Sequence, residues 1–270
     1  MYLEHYGLAR KPFSTSPDPA FLFPSRQHAE ALARLSHALE ERELAVLTGE
    51  VGAGKTTLCR ALVDQFAERC RFSLVVNPAL PPAQLLAAIA QGFGLPERRR
   101  KADVYAALAE HAAALDEQGL FPVVLIDEAQ LLGGRAAFDE LRLLTNLTLD
   151  DRGLVGLLLL GQPELRRRVR ERGGEAFAQR VGVAYHVGPL DEAEAGRYLE
   201  HRLRVAGREA PLFAPEAVAA IHRAAGGIPR RINRVAANAL LEGFSRDLQV
   251  LGAEVVEAAL SDMDAYLGAR

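Results

Sequence analysis

Residues 44–57, LAVLTGEVGAGKTT, carry the spacing G-x-x-x-x-G-K-[ST]. An apolar run from Leu44 to Leu47 leads into Gly49, Glu50, Val51, Gly52, Ala53, Gly54, Lys55, Thr56 and Thr57. Such a sequence makes a phosphate-binding loop between a buried strand and a helix. Gly49, Gly52 and Gly54 permit backbone conformations that a side chain forbids, and they let the main chain come close to an anion. Successive N–H groups then line a concavity, and the following helix offers its positive N-terminus to the same anion. Lys55 is placed to reach the β- and γ-phosphates of a nucleotide, and the Thr56 hydroxyl to ligate Mg²⁺.

The second chemical motif is Val123 to Gln130, VVLIDEAQ. A buried strand ending in two acids sets both carboxylates at the C-terminal edge of a sheet, where open α/β sheets bind ligands. Downstream of a phosphate loop, Asp127 is the expected Mg²⁺ residue, and Glu128 the residue that orients or deprotonates the attacking water. A glutamate beside the magnesium aspartate favours an ATPase over a GTPase.

These motifs require elements to hold them. Val123–Ile126 and Leu154–Leu160 are short, uninterrupted apolar runs, as in strands covered on both faces. Phe72–Val76 and Gly182–Val187 read as further strands. Pro82–Phe93 and Val104–Leu115 read as helices, with the polar residues 97–103 as a connection. Strands alternating with helices imply right-handed crossovers and a doubly wound parallel α/β sheet. After Pro189 only helices follow, at about Glu192–Val205, Pro215–Ala225, Pro229–Ser245 and Ala253–Tyr266. The expected organisation is a nucleotide-binding domain over residues 1–189, with residues 1–30 as a flanking segment, and a helical lid domain over 190–270.

Composition bounds the rest. The chain has 270 residues, 49% hydrophobic and 25% charged, enough apolar content for a sizeable core. A formal net charge of -3 confines any nucleic-acid surface to a local patch. Arg166, Arg167, Arg168, Arg170 and Arg172 make one such cluster and Arg98, Arg99, Arg100 and Lys101 another. Neither has interleaved aromatic residues for base stacking, so DNA is the less favoured partner. The N-terminus lacks the apolar core of a signal peptide, and no apolar segment approaches the roughly 20 residues of a membrane helix. Cys59 and Cys70 are the two cysteines. Disulfides are rare in reducing compartments, Cys59 on the helix after the phosphate loop reads as a buried free thiol, and the cytoplasm is the expected location.

Further marks are Gly161-Gln162-Pro163-Glu164-Leu165, Gln179-Arg180, Gly226-Gly227-Ile228-Pro229-Arg230-Arg231-Ile232-Asn233, and, near the start, Tyr6-Gly7-Leu8, Pro12-Phe13, Pro17-Asp18-Pro19 and His28–Leu32. With the DEAQ motif, these make the chain resemble the ExeA/GspA branch of AAA+ ATPases, found in type II secretion and pilus biogenesis, over nearly its whole length. Transposition ATPases of the TniB/TnsC kind look like more distant relatives. The resemblance implies an AAA+ P-loop fold, ATP and Mg²⁺ as cofactors, an ATP-promoted ring or helical homo-oligomer, and an envelope-assembly partner. It implies Gln162 as sensor 1, which feels the γ-phosphate. Arg180 matches the arginine finger that reaches a neighbour's nucleotide, and Arg230 matches sensor 2, with Arg231 as the competing candidate. The alternative function is an ATP-dependent DNA-binding matchmaker of the transposition type. Members of the branch usually continue into a transmembrane helix and a periplasmic peptidoglycan-binding domain. A chain ending at Arg270 without them is what an excised cytoplasmic domain or a short stand-alone member would show, the former placing it at the cytoplasmic face of the inner membrane.

Overall fold

The computed structural model describes residues 2–14, 18–149 and 152–267, so Pro17 of the Pro17-Asp18-Pro19 motif lies outside the described residues. Two compact units emerge. One comprises Ala29–Gly49 and Leu58–Val187; the other comprises Met1–His28, Glu50–Thr57 and Gly188–Arg270.

In chain order, the short helix α1 (Tyr2–His5) precedes α2 (Arg26–Glu40), β1 (Leu44–Gly49) and α3 (Lys55–Phe66). Then come β2 (Cys70–Val75), α4 (Pro82–Gly92), α5 (Lys101–Glu117) and β3 (Phe121–Ile126). Next are α6 (Arg135–Leu144), the two-residue strands β4 (Thr148–Leu149) and β5 (Arg152–Gly153), and β6 (Gly156–Gly161). α7 (Glu164–Glu171), α8 (Gly174–Ala178) and β7 (Val181–Val187) follow. Four helices close the chain: α9 (Glu192–Val205), α10 (Pro215–Ala225), α11 (Pro229–Ser245) and α12 (Ala253–Leu267).

The sheet unit has five strands in the order β2-β3-β6-β1-β7, and every pairing is parallel. β1, β3 and β6 are buried at every position, which is why their sequences are continuous apolar runs rather than alternating ones. β2 and β7 lie at the sheet's edges and mix exposed with buried residues. Register aligns Val46 with Leu159 and Leu159 with Ile126, so the carboxyl ends of β1, β6 and β3 open side by side. Ala137, Phe138, Leu141 and Leu144 form the buried face of α6, at helical spacing, and Phe138 meets Phe177 edge-on at 5.1 Å.

Several boundaries differ from the expected ones: β2 and β3 each start two residues early, at Cys70 and Phe121, and two further shifts have a visible cause. α5 begins at Lys101, inside the polar run read as a connection. Its ammonium is paired with the buried carboxylate of Glu140, so tertiary contact captures a residue whose own sequence reads as loop. The strand expected over Leu154–Leu160 runs from Gly156 to Gly161, since Leu154 turns back to donate its N–H to the Leu147 carbonyl.

In the other unit, α9 to α12 share one apolar core with the N-terminal segment, through Tyr6, Leu8, Phe13 and Phe21. Tyr6 is fully buried and donates its hydroxyl to the Leu240 carbonyl at 3.2 Å. The buried guanidinium of Arg202 donates to the carbonyls of Pro12 at 2.5 Å and Ser14 at 3.1 Å. α9 is capped by the Asp191 carboxylate, which accepts from the Glu194 N–H at 2.7 Å. α10 ends on Gly226 in the left-handed conformation, and α11 opens with Pro229 in its first turn.

Candidate active site

The loop Glu50–Gly54 belongs to the helical unit. Gly52 and Gly54 hold φ of 87° and 99°, where a side chain would be strained. Gly49 instead closes β1 as an extended residue in register with Val187, so it does not need the conformational freedom expected of it. Three loop carbonyls are engaged. Lys55 is buried and folds its ammonium back to donate to the Glu50 carbonyl at 3.0 Å. The Arg230 backbone N–H donates to the Gly52 carbonyl at 3.2 Å, and His28 Nε2 lies 2.9 Å from the Ala53 carbonyl. In a trans peptide the C=O and the next N–H point opposite ways, so the Gly54 N–H faces away from His28. The Ala53 N–H closes the turn on the Glu50 carbonyl at 3.0 Å.

His28 is the residue whose role went unread. A carbonyl can only accept, so Nε2 carries the proton and Nδ1 accepts from the Ser25 hydroxyl at 2.7 Å. Ser25 Oγ in turn accepts the His28 N–H at 3.3 Å. A Cβ at position 54 would sit 2.7 Å from Nε2, a second reason for glycine there. Burial pushes the His28 pKa below its ordinary value, partly opposed by the Ala53 hydrogen bond and by Glu194. Neutral imidazole is the form this pocket holds.

The acid pair belongs to the sheet unit. Asp127 follows β3 and donates its N–H to the Val75 carbonyl at 2.9 Å; its Oδ1 accepts the Glu128 N–H at 2.8 Å. Glu128 stands at φ 50°, ψ 36°, left-handed without being glycine. Conformations of this kind cost on the order of 1–3 kcal/mol and persist where surrounding contacts over-determine them. Here those contacts are visible. Glu128 Oε2 accepts from Gln130 Nε2 at 2.5 Å and from Gln162 Nε2 at 3.2 Å. Gln162 follows β6, and its own N–H donates to Gln130 Oε1 at 3.0 Å. The structure thus joins two predicted residues, Glu128 and Gln162, through a third, Gln130, quoted in the DEAQ motif without a role.

The other predicted residues are placed as follows. Val51 and Thr56 are exposed, Glu50 is exposed, and Thr57 is half-buried in the first turn of α3. Arg180 lies exposed between α8 and β7 and donates Nη1 to the Thr145 carbonyl at 3.1 Å. Arg230 and Arg231 both begin α11 exposed, but only Arg230 has its N–H and side chain at Gly52 among the described contacts. Cys59 and Cys70 are buried free thiols, with burial pushing them up to about 12 and about 11. Neither has the chemistry of a nucleophile.

A parallel sheet of this order, a phosphate loop after its fourth-placed strand, an acid pair after β3 and a C-terminal run of helices together make the AAA+ form of the P-loop fold. A family described as an AAA domain matches residues 37–169. The chain is 41% identical over 250 residues to the general secretion pathway protein A of Aeromonas hydrophila. That match covers 91% of this chain and 45% of the relative, so the chain spans less than half of that protein's length. Among solved structures, the Aeropyrum pernix ORC2 protein in its ADPNP–ADP complexes superposes with TM-score 0.70 at 22% identity, over 94% of this chain and 71% of that one. Cdc6p from Pyrobaculum aerophilum gives 0.72 at 17%, over 96% and 74%. By sequence and fold the chain is ExeA/GspA-like and AAA+ in form. Among the described residues, no helix is long and apolar enough to cross a membrane.

Proposed function

We propose that this chain binds ATP with Mg²⁺, hydrolyses it, and uses the cycle to drive assembly of a secretion or pilus-type envelope machine from the cytoplasmic side. The observation that carries the reading is the phosphate loop, with its carbonyls bonded away and two glycines at positive φ. In this reading residues 1–189 are the nucleotide-binding domain and 190–270 the lid. Residues 49–57 hold the phosphates, and the Lys55 ammonium leaves its carbonyl partner for phosphate oxygens. Gln162 and Arg230 act as the two sensors.

The donor set suits Mg²⁺, which prefers oxygen ligands and keeps several waters beside one or two carboxylates and substrate phosphates. Thr56 Oγ1 and an Asp127 carboxylate oxygen would hold it, and when bound it would neutralise phosphate charge. Glu128 orients a water and takes its proton. The water oxygen bonds to the γ-phosphorus while the bond from that phosphorus to the β–γ bridging oxygen breaks, and the electron pair leaves with ADP. Arg180, offered from an exposed position to a neighbouring subunit, offsets charge on the transferred group. The client is an envelope-assembly protein, consistent with the secretion-pathway name of the Aeromonas relative.

The test is Glu128→Gln, which keeps the side chain's shape and removes the base. It should bind ATP with the parent's affinity and leave it intact in a single-turnover assay. Turnover at the parent rate would place the base elsewhere.

A further inference from the structure

We infer that Gln130 is a positioning residue for hydrolysis, fixing the Glu128 carboxylate and coupling it to Gln162. The inference rests on the reading of Glu128 as the base.

Gln130 is buried at 7% exposure on the single 3₁₀ turn Ala129–Leu131 that follows the acid pair. Its amide meets two partners of fixed character. The Gln162 N–H can only donate, so Oε1 faces it at 3.0 Å; Nε2 is thereby turned to the carboxylate of Glu128 at 2.5 Å. The amide cannot flip without losing both bonds. Gly161 keeps the space clear, since a Cβ there would fall 2.8 Å from Gln130 Oε1.

The result is a selective hold on one carboxylate oxygen. Both amide donors, from Gln130 and Gln162, take Oε2. Oε1 stays out of this network and is the oxygen left to accept a proton from water. The two amides restrain the carboxylate of this left-handed residue. Gln162 donates its side-chain amide to that same oxygen and its backbone N–H to Gln130 Oε1. Any shift of Gln162 on meeting a γ-phosphate therefore moves through Gln130 to the base.

The experiment compares Q130L, Q130E, E128Q and the E128Q/Q130L pair, measuring Mg-ATP affinity and kcat at saturating Mg-ATP. Q130L should bind ATP within about twofold of the parent and lose kcat by on the order of 10²-fold, the scale of a misplaced catalytic group. Added to E128Q it should cost nothing more, because its effect acts through Glu128. Q130E keeps the acceptor for Gln162 but replaces the donor facing Glu128 with a second carboxylate. It too should bind Mg-ATP like the parent and lose kcat, a split between affinity and rate that loss of packing would not produce. Q130L at the parent's kcat, with E128Q inactive, overturns the inference and spares the base. E128Q at the parent's kcat overturns both. If Q130L fails to bind ATP, Q130E decides alone, and Q130E at the parent's kcat overturns the inference.

Discussion

The backbone N–H of Arg230 donates to the carbonyl of Gly52 across 3.2 Å, tying the first turn of α11 to the phosphate loop by main chain alone. No substitution at Arg230 except proline removes that bond. The glycine side of it is far more sensitive, since a Cβ at position 52 would collide with the Arg230 side chain and Gly52 has φ 87°.

Gly52→Ala should therefore damage nucleotide binding more than Arg230→Ala damages it. An L-residue held left-handed costs about 1–2 kcal/mol, and the loop must also move off Arg230. ATP affinity by calorimetry should fall roughly tenfold or more, with a thermal midpoint lowered only modestly. An alanine variant that binds like the parent would show that the loop opens before it binds.

Lys55→Ala isolates charge from shape. Removing a charge-assisted hydrogen bond costs about 1.5–3 kcal/mol, or roughly 10- to 100-fold in Kd. The fold should persist, since the ammonium donates to the Glu50 carbonyl of its own loop. Affinity within a few-fold of the parent would remove Lys55 from phosphate binding.

His28 gives the loop a pH dependence with a definite sign. Its native pKa is lowered, so between the unfolded value near 6.5 and the native one the unfolded chain holds the extra proton. Stability is full above that window and falls as pH drops through it. His28→Gln, which keeps a donor for Ala53, should show a shallower acid-side loss, by at most one proton. His111 and His201, also lowered by burial, are common to both proteins and cancel. Urea titrations at pH 7.5 and 5.5 measure the difference; equal slopes would mean that His28 does not titrate with folding.

What the sequence discloses follows from how local each signal is. β1, β3 and β6 announce themselves because burial on both faces demands unbroken apolar runs, and α9, α10 and α11 begin and end where caps, prolines and glycine say they should. α2 is weaker in sequence: alanines at 31 and 38 share its buried stripe with Leu35 and Leu39, so the periodic contrast is low. The start of α5 depends on Glu140, some 39 residues on. Gln130 and His28 are harder still, because their roles consist of partners 32 and 25 residues away and no spacing rule encodes those distances.

Asp116 tests the sheet unit's stability apart from the chemistry. It is 9% exposed and accepts from Arg42 at 2.8 Å and from Arg152 at 2.7 Å, while the Arg42 guanidinium stacks 4.8 Å from the Phe121 ring centroid. Removing one member of a buried pair leaves the other charge uncompensated, at a cost of about 3–5 kcal/mol. Asp116→Ala should unfold at markedly lower urea, whereas Arg152→Ala, on the exposed side, should cost well under that. Equal small losses would show that water reaches Arg42.

Arg180 makes the assembly prediction. It is exposed between α8 and β7 and donates Nη1 to the Thr145 carbonyl; in the proposed reading it acts on a nucleotide that another subunit presents. Arginine fingers of this kind are worth roughly 10³ to 10⁵ in rate. Specific activity should rise with protein concentration as nose-to-tail subunits complete one another's sites. Arg180→Ala should bind ATP almost normally and lose hydrolysis. Mixed with Glu128→Gln, it should regain turnover, because some interfaces then pair an intact Glu128 with an intact Arg180. Neither inactive variant can produce that recovery alone, and a finger acting within its own subunit would give none. Activity independent of concentration, or Arg180→Ala as active as its parent, would overturn the trans arrangement.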